Sequence, residues 1–404
     1  MKKLIVFCLA VFAAVSAMAQ GGNTGDGGAD GDYISLAKKI AGLEKKSENF
    51  NLFVNYTAAY QQTLNPYAAA FRAKALRLEI KGSFGEHLSY RFRHRLNGSG
   101  DPTSEDNFAK ATDMAMVGWR FNDKFEILGG KICQFWGGFE YDENPMYIYE
   151  YCDLLNRMDI FFGGAAIVYH PVPSQEFVFN ITNTFNGKFA DEYVPNAITK
   201  AITAGGYRLT GLNYPFTYIL NWNGSFLDGI VKTRWAVGSS ALAKGTNTPG
   251  TDVVLGEQYT YLAYLGQMLH LPTFQFYVDA YFNHEDLDRT RIASDLFCAP
   301  GTYLLDVDYA SFVAKANWQF APKWNFIGKL MYETASTTDF KNFRRSIGGV
   351  ACMEYYPMDD QDLCFFLAYI HKNRSFSAEC GLPAALAVGV NRAELGIMYR
   401  IKAY

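Results

Sequence analysis

The chain has 404 residues, of which 16% are aromatic and 19% charged, and its formal net charge is −3. So mild a balance implies neither a nucleic acid nor a strongly anionic partner. Past the first twenty residues no stretch approaches the roughly 20 apolar residues of a membrane helix, so a membrane crossing would have to be made by strands.

In chain order, Lys2 and Lys3 precede an apolar run over 4–16, and Ala17-Met18-Ala19 supplies a small–x–small cleavage pattern. This predicts a signal peptide over 1–19 and a mature chain that starts at Gln20 and enters an oxidising compartment. Residues 20–50 read as a Gly- and Asp-rich leader followed by a short amphipathic helix, in which Tyr33, Leu36, Ile40 and Leu43 share one face. Such a stripe is buried either by self-association or by docking on the rest of the chain, and two heptads do not decide between them. Of the seven cysteines, Cys8 leaves with the signal. The other six show neither CxxC nor zinc spacing, so no metal or other cofactor is implied and no disulfide pairing can be read.

From residue 51 to the end the dominant period is two. Leu76, Leu78, Ile80 and Phe84 alternate with Arg77, Glu79, Lys81 and Ser83, and Leu88, Tyr90 and Phe92 alternate with Ser89, Arg91, Arg93 and Arg95. Sixteen strands are expected, near 52–60, 73–84, 87–96, 112–122, 124–133, 160–170, 176–186, 215–224, 230–239, 258–268, 272–283, 308–320, 323–334, 344–356, 362–372 and 391–402. Connections after even-numbered strands are tight, whereas most of those after odd-numbered strands are long and polar, such as 97–111, 134–159, 187–214 and 284–307. A soluble sandwich has no reason to sort its loops by strand parity. A barrel crossing the outer membrane does, with short periplasmic turns and longer external loops. Closing the sheet also leaves no unpaired backbone group in hydrocarbon. The expected fold is all-β, a closed antiparallel 16-stranded transmembrane barrel over 51–404, with the short helical segment before it.

The layout, together with the run Leu128-Gly129-Gly130-Lys131-Ile132-Cys133-Gln134-Phe135-Trp136-Gly137-Gly138-Phe139-Glu140, resembles the phosphate-selective porin O and P family. Asn156-Arg157-Met158-Asp159-Ile160-Phe161-Phe162-Gly163-Gly164-Ala165 is similar to the stretch that returns the third loop of such a channel into the sixth strand. The architecture covers the whole barrel, the motifs only these segments, and Phe135 stands where the family turn commonly carries proline. The resemblance implies a trimeric channel in a Gram-negative outer membrane, with a third loop folded inward to narrow the pore. It does not imply phosphate as the solute.

If the apolar faces meet lipid, the opposite faces line the lumen. Expected there are Arg77, Lys81, Arg91, Arg93, Arg95, Arg120, Lys232, Arg234, Lys315 and Lys329, joined by Arg392, Arg400 and Lys402 and opposed by Glu79, Asp279, Glu333, Glu354 and Glu394. Arg91, Arg93 and Arg95 form a ladder with steps of about 7 Å, set by the strand rise. Positive excess in a low-dielectric tube concentrates anions, and each guanidinium can grip an oxyanion with two hydrogen bonds. The alternative role for the ladder is bracing, against Glu140, Asp142, Glu143, Glu150 and Asp153 of the third loop, which also carries Arg157. Tyr147, Tyr149 and Tyr151 offer that loop a surface for sugar stacking. The expected partners are outer-membrane lipid, small hydrophilic solutes with a preference for anions, and two further copies of the chain, with no nucleic acid. Two other functions compete with a channel. A closed barrel could serve as adhesin or receptor through its loops. An enzyme built on a barrel would need a histidine beside a nucleophile or acid at the rim, and the six histidines sit in no such motif.

Overall fold

The computed structural model describes residues 49–403 except 65 and 247–253, so the expected signal peptide and leader helix lie outside the described residues. Among the described residues, nineteen strands form one sheet. Three are short: Thr203–Ala204, Tyr207–Gly211 and Thr302–Tyr303. The other sixteen run round a barrel. In chain order they are β1 (Asn51–Leu64), β2 (Tyr67–Phe84), β3 (Leu88–Arg95), β4 (Thr112–Asn122), β5 (Phe125–Cys133), β6 (Phe161–Val172), β7 (Gln175–Asn183) and β8 (Phe216–Phe226). Then come β9 (Val231–Thr246), β10 (Glu257–His270), β11 (Phe274–Leu287), β12 (Leu305–Ala321), β13 (Trp324–Ser336), β14 (Arg344–Tyr355), β15 (Asp362–Phe376) and β16 (Val390–Lys402). Each pairs antiparallel with the next. Closure comes from β1 with β16, in a register running from Phe53 opposite Lys402 to Thr63 opposite Arg392.

The period-two pattern translates directly into the two faces. Along β8, Thr217, Ile219 and Asn221 are buried while Tyr218 and Leu220 are exposed. Leu330, Ile347, Leu367 and Leu395 likewise stand exposed on the outside, where a bilayer would take up their apolar area. Aromatics gather at the end of the barrel with the tight turns. Trp119, Trp318 and Trp324 face outward there, and Trp222 packs edge-on against Trp235 at 5.3 Å. Amphipathic rings favour this height, between hydrocarbon and water.

All sixteen expected strands are present, and β4 has the expected ends. The departures cluster at the opposite, loop-bearing end. There β9 runs to Thr246, β11 to Leu287 and β15 to Phe376, several residues past the expected stops. Beyond the bilayer no lipid face enforces alternation, and β9 also carries a register shift at Ala241/Ala243. The long connections hold structure of their own. Thr302–Tyr303 pairs parallel with Thr203–Ala204, over a small second core of Phe185, Tyr193, Leu209, Leu242 and Leu287.

Candidate functional site

The site begins where β5 ends and the chain turns into the barrel instead of over it. Gly137 and Gly138 make the turn, with φ of 79° and 84°. A Cβ on Gly138 would lie 2.6 Å from the Tyr281 hydroxyl, so no other residue fits without displacing the wall. Trp136 is fully buried, its ring 5.3 Å from that of Tyr264, and its Nε1 donates to Gln134 Oε1 at 2.6 Å. The entry is thus a rigid hook.

Wall carboxylates then receive the loop. Asp279 accepts the backbone N–H groups of Phe139 and Glu140, at 2.9 and 2.8 Å, opening the helical turn Phe139–Asp142. Glu333 accepts those of Asp153 and Leu154, at 2.8 and 3.2 Å, at the start of the helical turn Asp153–Arg157. Glu354 accepts the Tyr149 hydroxyl at 2.6 Å. Each supplies a partner that a buried backbone or hydroxyl donor would otherwise lack.

The loop returns the arrangement with its own acids. Glu140 pairs with Lys329, Asp142 with Arg234 at 2.9 Å and Glu143 with Lys315 at 2.5 Å. Glu150 meets Arg392 at 2.9 Å and Lys372 at 3.4 Å. Asp153 is shared by Arg344, Lys372 at 2.8 Å and Arg374 at 3.1 Å. Burial alone would raise the Asp153 pKa, but Lys372, Arg344 and the hydrogen bonds of Arg374 hold it well below the ordinary carboxylate range. The Lys329–Glu140 pair is almost fully buried. Its Coulombic gain is largely offset by desolvation, so its main effect is to fix where the loop lies. The residues 134–160 are therefore clamped to the wall built from β9 to β16. Tyr149 is consumed in the clamp. Tyr147 donates to Asp362, and Arg157 points away, to Asp295 at 2.9 Å.

The alternative role for the arginine ladder, bracing by these loop acids, has no pair to support it among the described residues. The ladder is served by its own wall. Asp113, almost fully buried on β4, is the shared partner of Arg93 at 3.0 Å, Arg95 at 3.1 Å and Arg77 at 3.5 Å. Glu79 takes Arg91 at 2.7 Å and Arg400 at 3.1 Å. Between this wall and the loop lies a cavity of about 860 Å³. Lys74, Arg77, Lys81, Arg91, Arg93, Arg95 and Arg400 line it, against the carboxylates of Asp113, Asp142, Glu143 and Asp159. Since Asp142 and Glu143 are held by Arg234 and Lys315, the surplus facing the cavity is positive. On the loop's other side a smaller space of about 200 Å³ is bounded by Phe139, Arg234, Tyr277 and Lys315.

Of the remaining expected residues, Arg120 sits at the tight-turn rim, half-exposed and 3.8 Å from Glu126, and lines neither space. Lys232 lies one inward step from Arg234 and also stands outside both. Seven residues of the site were not among the sequence candidates: Lys74, Asp113, Asp159, Arg344, Asp362, Lys372 and Arg374. Lys372 was within reach, because Ile370 and Lys372 continue the inward parity of β15. The six cysteines among the described residues are all free thiols.

A model of the family described as phosphate-selective porin O and P matches residues 47–401. No curated protein matches the chain in sequence. Among solved structures, the outer membrane channel DcaP of Acinetobacter baumannii aligns with a TM-score of 0.57 at 10% identity, over 87% of this chain and 96% of that one. In-vitro folded OmpT of Vibrio cholerae, in its trimer form, gives 0.55 at 10% identity, over 87% and 99%. OmpF of Salmonella typhi, in complex with daunomycin, gives 0.53 at 13% identity, over 87% and 97%. At such identities the likeness is one of fold.

Proposed function

Since the chain belongs to the phosphate-selective porin O and P family and is an outer-membrane porin, we propose that it passes small hydrophilic solutes by diffusion, prefers anions, and selects them at the wall of β2 and β3. One observation carries this reading: three guanidiniums share the single carboxylate of Asp113 beside an 860 Å³ cavity. An array so undercompensated keeps a positive potential where a solute passes, and in a low-dielectric tube that potential lowers the entry barrier for anions. Within the ladder the most accessible residues are Arg95, which belongs to this array, and Arg91, which pairs with Glu79, with side chains 44% and 39% exposed. Passage requires no covalent step, and the family and fold point to a channel rather than an enzyme.

The test is electrical. Purified protein in a planar bilayer should give discrete, stable openings, with a zero-current potential of anion-selective sign in a salt gradient. Replacing Arg91, Arg93 and Arg95 together with Gln should remove most of that potential. An unchanged potential takes the ladder out of the account, and a lack of openings favours a receptor-type barrel instead. The family resemblance and the trimer form of Vibrio cholerae OmpT support a homotrimer. In mild detergent the unheated protein should then migrate as a trimer, and migration only as a monomer contradicts it.

A further inference from the structure

We infer that the cavity is built for organic anions with a flat apolar body, such as aromatic carboxylates, rather than for bare inorganic oxyanions. This rests on the anion reading above and adds the nature of the rest of the solute. The charged wall is only one side of the space. The facing side, from the loop and the start of β6, presents Phe135, Tyr151, Met158, Ile160 and Phe161, each partly open to the cavity. The two sides meet where the guanidinium of Arg93 lies over the ring of Phe161, with 5.0 Å from its carbon to the ring centroid.

A phosphate ion can use only the first of these sides. Its hydration shell gains nothing from an apolar surface, which stays wetted as the ion passes. An aromatic carboxylate uses both. Its carboxylate takes a two-pronged grip from Arg91 or Arg95, the most accessible donors, while its ring releases water from the opposite face. Ring-on-ring contact with Tyr151 or Phe161 adds to this. Space is no obstacle, because a cavity of about 150 Å³ already admits benzene.

The experiment compares two anions with the same head group. Benzoate and acetate are titrated against the chloride current of the purified full-length channel at neutral pH. Burying the apolar surface of about one ring face corresponds to a difference on the order of tenfold. Benzoate should therefore half-block at a concentration about tenfold below that of acetate. In Tyr151→Ala/Phe161→Ala that advantage should shrink to roughly twofold, the residue of the smaller apolar area left. Equal half-blocking concentrations in the wild-type channel overturn the inference, and that comparison depends on no variant folding. The zero-current potential of the same wild-type channel separates the two failures. If it stays anion-selective while benzoate and acetate block alike, only the organic-body inference falls. If it is not anion-selective, the anion reading beneath it falls as well.

Discussion

The two walls of the barrel use the same residue types to opposite ends. On the side of β9 to β16, the cations Arg234, Lys315, Lys329, Lys372 and Arg392 each have an acid of the third loop at hand, and Lys315, Lys329 and Lys372 are almost fully buried. On the side of β2 to β4, three arginines share Asp113, and Arg91 and Arg95 remain open to the cavity. A lumen cation that meets a loop acid, alone or shared, acts as a fastener. A cation that meets no loop acid and stays open to the cavity keeps field to spare for a solute. The number of lumen arginines therefore says less about selectivity than which of them the loop leaves open to the cavity.

This contrast can be broken most severely at Asp153. Asp153→Ala leaves Arg344, Lys372 and Arg374 without their common partner. Removing one side of a buried ion cluster costs roughly 3–5 kcal/mol. The folded, unheated band in detergent should convert at lower temperature, and single-channel current should rise and become noisy. A quiet channel of unaltered conductance would show that the loop is held by its hook alone. Next comes Asp113→Asn, which loses hydrogen bonds to charged donors worth about 1.5–3 kcal/mol. It also increases the positive surplus, so the zero-current potential should become more anion-selective. A shift toward cations would mean that Asp113 aligns the guanidiniums and that alignment outweighs charge.

Gly138→Ala sharpens the comparison from the other end, since it disturbs the hook and spares every ion pair. A forced left-handed backbone costs about 1–3 kcal/mol, and the close approach to Tyr281 adds to it. The same detergent melting assay should show a loss, with selectivity retained. Arg120→Gln should do least. Half-exposed at the rim with a 3.8 Å pair, it is worth well under about 1 kcal/mol. A measurable change in selectivity from it would move the selective region toward the periplasm.

The barrel was legible because a bilayer imposes one physical rule, apolar outward at every second residue, along each crossing. Where the rule lapses the reading lapsed too, at the outer ends of β9, β11 and β15 and in the strands of the long loops. The inward cations Arg77, Lys81, Arg91, Arg93 and Arg95 were legible from parity alone, and five of the six acids of the third loop from position. Their partners were not. Asp153 and Arg374 are far apart in the chain and meet only because the barrel closes, and no local pattern encodes that meeting. Asp113 was missed for a related reason. It lies between Thr112 and Met114 at the outer end of β4, beside the register shift opposite Arg93/His94, where alternation gives no guide to its face.

On the proposed function, selectivity resides in the wall of β2 to β4 and not in the clamped one. Two double variants, compared by zero-current potential in a potassium chloride gradient, give the sharpest test. Arg93→Gln/Arg95→Gln lowers the surplus, whereas Glu143→Gln/Lys315→Gln deletes a complete pair from the clamped wall and leaves net charge unchanged. The first variant should lose most of the anion-selective potential and the second should keep it. The reverse result, with the potential lost in the second variant and kept in the first, would contradict it.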